Sequence, residues 1–355
     1  MKKPVRVLVV DDSALMRQML TEMLSSDPDI EVIDTASDPY DAREKIKQLN
    51  PDVITLDVEM PRMDGIRFLE KIMTLRPMPV VMVSSLTTEG AQITLQALEL
   101  GAVDAVAKPS GHDGLDELRD EVVAKVKAAA VARLQPRRAG TPAFKAPIDY
   151  RSCGRTVVAI GASTGGVEAL SMVLAAMPAG APPILITQHM PPRFVPFFAQ
   201  RLNTACAVTV RQAEDGDHLL PGHVYIAPGN THLRIARSGT RFRCLVSGRE
   251  RVSGHCPSVD VLFQSFADQV GADAVGVILT GMGGDGAEGL LAIRKNGGHT
   301  IGQDQGSSLI YGMPRVAFEQ GAVEIQLPLA RIAERVLALC GQRALEVKSW
   351  RGPQH

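Results

Sequence analysis

The sequence lacks an excess of charge of either sign, since its 355 residues carry 38 basic and 39 acidic side chains and a formal net charge of −1. No long-range field therefore attracts nucleic acid or an anionic membrane, and a DNA-binding output domain is disfavoured. Long hydrophobic runs are lacking too, because no stretch approaches the roughly 18 apolar residues of a membrane-spanning helix. The first apolar run meets Asp11 and Asp12 too early for a signal peptide. We expect no nucleic-acid partner and no direct membrane insertion.

Cysteines are few, odd in number and scattered, with no C-x-x-C spacing. They are Cys153, Cys206, Cys244, Cys256 and Cys340. This pattern is typical of reduced thiols, so we expect a cytoplasmic protein. Internal repeats and low-complexity tracts are also absent. Because 45% of the residues are hydrophobic and 22% are charged, the chain has enough apolar residues for two ordinary buried cores.

Short apolar segments alternate with amphipathic helical segments through the first part of the chain. Leu15, Met19 and Met23, for example, recur at the four-residue spacing of one helix face. Regular alternation of this kind predicts an α/β domain with a parallel sheet and helices on both faces. The predicted strands are Val5–Val10, Ile30–Thr35, Val53–Asp57, Pro79–Ser84 and Val103–Ala107, and the last predicted helix is Leu115–Leu134.

A proline- and glycine-containing segment without sustained periodicity follows Leu134 and separates two domains. We predict a first domain over residues 1–127, a linker over 128–152, a second domain over 153–345 and a polar, frayed tail over 346–355. The second domain is also predicted to be α/β, with a mostly parallel three-layer arrangement and a more antiparallel middle around residues 208–247. Its last predicted helix is Leu329–Cys340.

Five polar side chains stand at the ends of the predicted strands of the first domain. Asp11 and Asp12 follow the first strand, Asp57 closes the third, Ser84 the fourth and Lys108 the fifth. Strand ends of a parallel sheet gather at one edge, and clustered carboxylates repel one another unless a divalent cation such as Mg²⁺ neutralises them. Acidic loop residues most often simply face solvent. Polar residues at the ends of four of the five predicted strands favour a site.

The segment GASTGG, residues 161–166, lies between a predicted strand and a predicted helix. As a glycine-rich loop it could cradle phosphate at a helix N-terminus, but it lacks the G-x-G-x-x-G order and the lysine of a P-loop. As G-x-S-x-G it places Ser163 on a sharp strand-to-helix turn, where a nucleophile is accessible. Glycine turns with a serine cap are common, so the motif alone leaves both interpretations open.

Serine needs a base at neutral pH, and His189 stands at a strand end within QHMPP. Asp285 follows another apolar strand within TGMGGDG, where it could orient the imidazole or simply cap a helix. Ser163, His189 and Asp285 together favour a hydrolase over a phosphate-binding loop at residues 161–166 and over a simple helix cap at Asp285. His255 and Cys256 lie in a loop, and we interpret them as structural.

The motifs VVDDSALMR, LDVEMPRMDG, VMVSS and AVAKP resemble a response-regulator receiver domain over about residues 3–127. The resemblance implies a flavodoxin-like fold that binds Mg²⁺ and is phosphorylated by a sensor histidine kinase. The implied roles are Asp57 as the phosphorylated residue, Asp11, Asp12, Asp57 and the backbone carbonyl of Glu59 as metal ligands, Ser84 as the switch hydroxyl and Lys108 as the phosphate contact.

The second domain, with Ser163, His189 and Asp285, resembles the chemotaxis protein-glutamate methylesterase family. The resemblance implies a serine nucleophile, a histidine base and an orienting aspartate, with no cofactor for ester hydrolysis. We add the hypothesis that backbone N–H groups at Thr164 and Met282 form an oxyanion hole. The implied substrates are methylated glutamyl side chains on the cytoplasmic helices of chemoreceptors, hydrolysed to glutamate and methanol, together with receptor glutamines that are deamidated.

Two other functions stay open at this point. A dedicated glutamine deamidase would share every one of these residues, and release of ammonia instead of methanol would identify it. A non-catalytic receiver joined to a nucleotide-binding domain would use the glycine-rich loop but would give no role to His189 or Asp285.

Overall fold

The computed structural model describes residues 3–60, 63–85, 87–108, 115–134 and 156–349. The chain divides into two compact units, Met1–Arg138 and Ala139–His355. Most of the predicted linker, from residue 135 onward, lies outside the described residues, as do residues 153–155 and 350–355.

The first unit contains a five-stranded sheet in the order β2-β1-β3-β4-β5, and all its strand pairs are parallel. This confirms the predicted flavodoxin-like α/β class. Every residue of β3 and β4 is buried, as the apolar sequence of central strands in a parallel sheet requires. The elements are β1 (Val5–Val10), α1 (Ala14–Ser25), β2 (Ile30–Ala36), α2 (Pro39–Leu49), β3 (Val53–Asp57), α3 (Gly65–Leu75), β4 (Val80–Ser84), α4 (Thr88–Glu99), β5 (Asp104–Ala107) and α5 (Leu115–Ala130).

Helices α1 to α4 begin at short polar residues that satisfy the unpaired N–H groups of the first turn. Ser13 caps α1, Asp38 caps α2, Asp64 caps α3 and Thr87 caps α4, each through a side-chain oxygen that accepts a backbone N–H. Three of these helices start directly beyond β1, β3 and β4. The caps therefore help to set the loops at the edge where the polar residues gather.

The second unit is built on a seven-stranded sheet in the order β14-β13-β12-β6-β7-β9-β8, with every strand pair parallel. The predicted α/β class is confirmed here as well. Its strands are β6 (Val157–Ala162), β7 (Ile184–Gln188), β8 (Thr209–Gln212), β9 (His223–Ile226), β10 (His232–Ser238), β11 (Arg241–Ser247), β12 (Ala274–Ile278), β13 (His299–Gln303) and β14 (Ile325–Leu327). Its helices are α6 (Gly166–Ala175), α7 (Val195–Ala205), α8 (Val259–Gln269), α9 (Ala287–Lys295), α10 (Met313–Glu319) and α11 (Leu329–Ser349).

The prediction of a more antiparallel middle was half wrong. Strands β10 and β11 do form an antiparallel hairpin, but β8 and β9 pair in parallel within the main sheet. Because β8 and β9 are parallel, the chain between them must return to the other end of the sheet, and it does so through a connection that lies outside the main sheet. Its amides at Gly216 and Leu219 donate to the carbonyls of Cys244 and Phe242 on β11, at 3.0 Å each. These two bonds attach the connection to a strand that lies later in the chain.

The last helix of the chain is longer than the predicted helix Leu329–Cys340. Helix α11 runs past Cys340 to Ser349, so residues 346–349 are helical. The residues after Gly341 include alanine, leucine, glutamate and lysine, which favour helix, and no proline ends the helix before Ser349.

Candidate functional sites

An acid cluster forms at the carboxyl edge of the first-unit sheet. Asp11 and Asp57 are buried and Asp12 is exposed, and one carboxylate oxygen of each lies within 4.8 Å of the others. The ammonium group of Lys108 lies 3.0 Å from Oδ2 of Asp11 and 2.9 Å from Oδ2 of Asp57. The structure therefore brings together four of the predicted side chains around one point.

Burial dominates the electrostatics of this cluster. It raises the pKa of Asp57 to about 6, and the neighbouring charge of Asp11 adds to the increase, while the hydrogen bond from Lys108 opposes it. For Lys108 burial acts in the lowering direction, but the contacts with Asp57 and Asp11 prevail and raise its pKa. A raised pKa means that the ionised form of the buried Asp57 carboxylate is disfavoured, so a bound cation would stabilise it.

The Ser84 hydroxyl stands at the end of β4 but makes no hydrogen bond to Asp57. It donates to the carbonyls of Gly90, in α4, and Ser85, at 3.2 Å each. The backbone N–H of Glu59 donates to Oδ1 of Asp57 at 3.3 Å, and its carboxylate accepts from the Ser85 hydroxyl at 2.9 Å. Ser84 is therefore at the predicted place, with its hydroxyl engaged by the following helix.

In the second unit, Ser163 directly follows β6 on a tight turn into α6. The N–H of Gly166 donates to the Ser163 carbonyl at 2.7 Å, and Gly165 has φ of +79°. A side chain at position 165 would be strained at that φ, and its Cβ would also lie 2.8 Å from the Leu309 side chain. The turn thus requires glycine beside the serine, as the G-x-S-x-G interpretation predicts.

Hydrogen bonds of the fold already occupy N–H groups of this turn, since the Ser163 N–H donates to the Thr280 carbonyl at 3.0 Å and the Gly166 N–H donates to the Ser163 carbonyl at 2.7 Å. The Gln188 amide nitrogen donates to the carbonyls of Ser163 and His189, at 2.9 and 3.0 Å, and the Gln188 amide oxygen fills the space beside Gly166. A phosphate cradle needs free backbone N–H groups at the helix N-terminus. The geometry therefore disfavours the nucleotide-binding alternative.

His189 follows β7 and pairs with Asp285 across the edge of the sheet. Its Nε2 lies 2.8 Å from Oδ2 of Asp285, and its backbone N–H donates to the Ala162 carbonyl, next to Ser163, at 3.1 Å. Because an ionised carboxylate only accepts, the proton of the neutral imidazole is on Nε2. The remaining nitrogen, Nδ1, is buried and has no hydrogen-bond partner among the described residues. It therefore carries a free lone pair.

Asp285 is almost fully buried, with 2% of its surface exposed, and it is satisfied by the N-terminus of α8. It accepts from the Ser258 hydroxyl at 2.8 Å, the Val259 N–H at 2.8 Å and the Asp260 N–H at 3.0 Å. Burial acts to raise the pKa of Asp285, but the bonds from His189 and α8 outweigh it and lower the pKa to about 2. Asp285 is thus a fixed negative charge behind the imidazole.

The Ser163 hydroxyl makes no hydrogen bond to His189 or to any other described residue. Gly281 packs directly on this serine, since a Cβ at Gly281 would lie 2.7 Å from Cβ of Ser163. The N–H of the next residue, Met282, donates to no carbonyl within the described ranges. Thr164 is buried beside it, and its carbonyl accepts from the Thr280 hydroxyl at 3.0 Å.

Sequence reasoning missed several residues around this pair. Ser258 could have been recognised as a helix N-cap, because it precedes an apolar-periodic segment, but its bond to Asp285 joins positions 27 apart in the chain. His255, which we interpreted as structural, stacks on His189. His232 is buried between the Glu250 carbonyl and the Ser258 N–H, at 2.7 and 3.1 Å, and serves the fold.

The fold and the two sites together define a class of protein: a receiver-type α/β unit with an acid cluster, joined to an α/β unit of serine-hydrolase type. Comparison with known proteins gives the family. Residues 158–336 match CheB methylesterase, and residues 7–120 match the response regulator receiver domain. The chain belongs to the CheB methylesterase family.

Curated relatives match over nearly their whole length. A protein-glutamate methylesterase/protein-glutamine glutaminase of Bordetella parapertussis is 55% identical over 97% of this chain and 100% of the relative. A protein-glutamate methylesterase/protein-glutamine glutaminase 1 of Xanthomonas campestris is 54% identical over 96% and 99%. The crystal structure of the Thermotoga maritima CheB methylesterase catalytic domain is 36% identical, with a TM-score of 0.51, over 52% of this chain and 98% of that one.

Among the described helices, none has the length and apolar character needed to cross a membrane.

Proposed function

We propose that this chain hydrolyses methyl esters of glutamyl side chains and also deamidates glutaminyl side chains, under the control of phosphorylation at Asp57. The observation that carries the catalytic part is the His189–Asp285 pair, with Nε2 of His189 2.8 Å from the carboxylate and Nδ1 buried without a partner. The backbone N–H of His189 donates to the carbonyl of Ala162, the last residue of β6, and Ser163 follows directly. The relatives' names support both activities.

In the first half of the reaction, the Ser163 oxygen attacks the ester carbonyl carbon while its proton passes to Nδ1 of His189. The negative charge of Asp285 stabilises the imidazolium that forms. The carbonyl oxygen becomes an oxyanion, for which the free N–H of Met282 and the N–H of Thr164 are the proposed donors. The C–O bond then breaks, and the proton on His189 goes to the departing methoxide to give methanol.

In the second half, water attacks the acyl-serine and gives its proton to His189. The tetrahedral intermediate collapses, Ser163 takes the proton back, and the side chain leaves as glutamate. An amide passes through the same oxyanion, with ammonia as the leaving group. One site therefore serves both reactions.

In the first unit, the proposed acceptor is the Asp57 carboxylate, which attacks the phosphorus atom of a phosphodonor and displaces its leaving group. Lys108 lies 2.9 Å from this carboxylate and would contact the new phosphoryl oxygens. Ser84 would have to exchange its bond to Gly90 for one to the phosphoryl group, which would link phosphorylation to the position of α4.

The acid cluster fits Mg²⁺, because three carboxylates offer hard oxygen ligands within 4.8 Å of one another. Asp11, Asp12, Asp57 and the Glu59 carbonyl would hold the ion. When bound, it offsets the negative charge of the transferring phosphoryl group.

The proposed substrates are the methylated cytoplasmic helices of chemoreceptors, and the proposed phosphodonor is a sensor histidine kinase. The names of the relatives support glutamyl and glutaminyl side chains of a protein as the substrate, and the match to the receiver domain supports a kinase as the phosphodonor. The proposal places the receiver at residues 1–127, the linker at 128–152 and the catalytic domain at 153–345.

The test is release of methanol from methylated receptor membranes by the wild type and by Ser163→Ala. We expect Ser163→Ala to lose at least about 10³-fold in kcat, as removal of a catalytic nucleophile does. Ser171→Ala is a matched control, because that hydroxyl only bonds within α6, to the Val167 carbonyl at 2.7 Å. Equal release by the wild type and Ser163→Ala would contradict the proposed site.

A further inference from the structure

His255 stands on a tight two-residue turn beside the His189–Asp285 pair. Val252 and His255 exchange both backbone hydrogen bonds, at 2.9 and 3.0 Å, and the residues between them have φ of +53° at Ser253 and +81° at Gly254. The turn presents the imidazole of His255 flat against that of His189. The ring centroids are 3.9 Å apart and the planes differ by 4°.

Hydrogen bonding determines the form of the His255 ring. Its Nδ1 lies 2.8 Å from the Ser253 carbonyl, which can only accept, so Nδ1 carries the proton. The same nitrogen is 4.0 Å from Oδ2 of Asp285, too far for a hydrogen bond. His255 therefore leaves the Asp285 carboxylate to His189 and meets the catalytic pair only through its ring face.

His189 needs such a support, because among the described residues a single side-chain hydrogen bond holds its ring. The ring could still tilt about its bond to Asp285, and Nδ1 would then move away from the Ser163 oxygen. We propose that His255 is a positioning residue that holds the His189 ring, by face-to-face contact, in the plane in which Nδ1 can take the serine proton. This inference rests on the proposed function.

A second set of contacts holds His255 in place. The Ser253 hydroxyl donates to Oδ2 of Asp260 at 2.8 Å, and the Gly289 N–H donates to Oδ1 of Asp260 at 2.9 Å. Asp260 belongs to the same first turn of α8 whose N–H groups hold Asp285. The N-terminus of α8 thus orients Asp285, which bonds Nε2 of His189. Through the turn at Ser253 it also orients His255, which stacks on the His189 ring.

The charge of His255 suits this role. Burial and the neighbouring His189 lower its pKa, with Arg251 acting in the same direction, while the Ser253 carbonyl and Asp285 oppose the decrease. His255 is therefore neutral when His189 becomes positive during the reaction. A neutral aromatic face attracts that positive charge, whereas a protonated ring would repel it.

The experiment compares three substitutions of His255 for methanol release by the full-length chain. We expect His255→Ala and His255→Gln to lower kcat about ten- to hundredfold with little change in KM, because only the orientation of the base is lost. His255→Phe retains a flat ring without ionisable nitrogens, so its kcat should stay within about threefold of the wild type. His223→Ala is the matched control, since Nδ1 of His223 contacts a carbonyl two residues earlier in the same way, at 3.0 Å.

Three results would overturn the inference: a wild-type kcat for His255→Ala and His255→Gln, equal losses in the Phe and Gln variants, or losses that follow a lowered Tm of the second unit. If His255→Ala does not fold, the comparison of Phe with Gln carries the test. Ser163→Ala separates this inference from the proposed function. If Ser163→Ala is inactive and His255→Gln is fully active, only the proposed role of His255 is contradicted. If Ser163→Ala is active, both the proposed function and the role of His255 are contradicted.

Discussion

At the scale of single residues, the chemistry of the second unit depends on which imidazole nitrogen Asp285 leaves free. The carboxylate holds Nε2 of His189, so Nδ1 is the nitrogen available to Ser163. The more familiar serine-protease arrangement uses the two nitrogens the other way round.

Gly281→Ala should reduce activity without unfolding the protein. The added methyl group would lie 2.7 Å from Cβ of Ser163, and closer still to the Met313 sulfur, so either the serine or the methionine must move. Because a shift of about 1 Å in a reacting group costs on the order of 100-fold in rate, we expect a kcat loss of that size. Gly306→Ala is the control, since nothing lies within 3.7 Å of its added methyl group. Comparable kcat values for the two variants would show that Ser163 tolerates the displacement.

The ionisation of Asp285 should appear in the stability of the fold at low pH. Its pKa is about 2 in the folded protein and near 3.9 in an unfolded chain. A group with a lowered folded pKa stabilises the fold above its unfolded pKa, and this contribution is lost as the pH falls through its folded pKa. We therefore expect roughly 2 kcal/mol of the unfolding free energy to disappear between about pH 4 and pH 2.

Denaturant unfolding of the wild type and Asp285→Asn across that range checks this prediction. Burial raises the pKa of Asp260 in both proteins and works in the opposite direction, and the charge of Asp285 adds to this increase only in the wild type. The difference in stability between them should shrink from pH 4 to pH 2. A constant difference would mean that Asp285 has the same pKa in the folded and the unfolded states.

At the scale of elements, the N-terminus of α8 is the part of the fold that organises the catalytic pair. Its first N–H groups, at Val259 and Asp260, point at Asp285, and its cap residue Ser258 adds a hydroxyl donor. A helix N-terminus favours a negative charge because its N–H groups are unpaired and its dipole is positive there. Asp285 is thus satisfied by an element that follows β11 rather than by its own loop.

Ser258→Ala should lower both stability and activity. The substitution removes the cap of α8, which accepts from the Val261 N–H, and a buried bond to the Asp285 carboxylate. We expect a loss of about 2 to 4 kcal/mol in unfolding free energy and about a tenfold lower kcat, measured by denaturant unfolding and methanol release. Asp38→Ala removes the cap of α2 in the first unit and should cost stability only. A wild-type kcat in Ser258→Ala would show that the backbone donors of α8 suffice for Asp285.

At the scale of the whole molecule, the two units carry separate chemistry on one chain. Each has a parallel sheet, and in each the polar residues gather at the carboxyl ends of the strands. The first unit offers a carboxylate with a raised pKa beside a lysine, and the second offers an imidazole paired with a buried carboxylate. Their coupling is the regulatory part of the proposed function.

Asp57→Ala should separate the unstimulated release of methanol from its stimulation by phosphorylation in the full-length protein. A small-molecule phosphodonor with Mg²⁺ is expected to stimulate methanol release by the wild type, because phosphorylation biases a two-state equilibrium by a few kcal/mol. Asp57→Ala should retain the unstimulated rate and lose the stimulation. Asp64→Ala, which removes the cap of α3 and an exposed ion pair with Arg67, is the control that should still respond. Stimulation that persists in Asp57→Ala would place the phosphoryl acceptor elsewhere.

Local pattern was enough to predict the strands of the first sheet and the strand ends that precede Ser163, His189 and Asp285, whereas β13 and β14 of the second sheet were not predicted. Apolar runs such as Val53–Asp57 and Ala274–Ile278 were visible because a central parallel strand is buried along its whole length. The turn at Gly165 was visible because a left-handed φ selects glycine. Both are properties of a residue and its near neighbours, so a single sequence carries them.

Contacts between residues far apart in the chain were determined only by the tertiary structure. Nε2 of His189 meets a carboxylate 96 positions away, the connection between β8 and β9 bonds to β11, and His255 stacks on His189 across 66 positions. No local period or motif encodes such pairs, because each arises from the packing of whole elements. The sequence by itself thus determined which residues stand at the strand ends, and the packing determined which of their atoms meet.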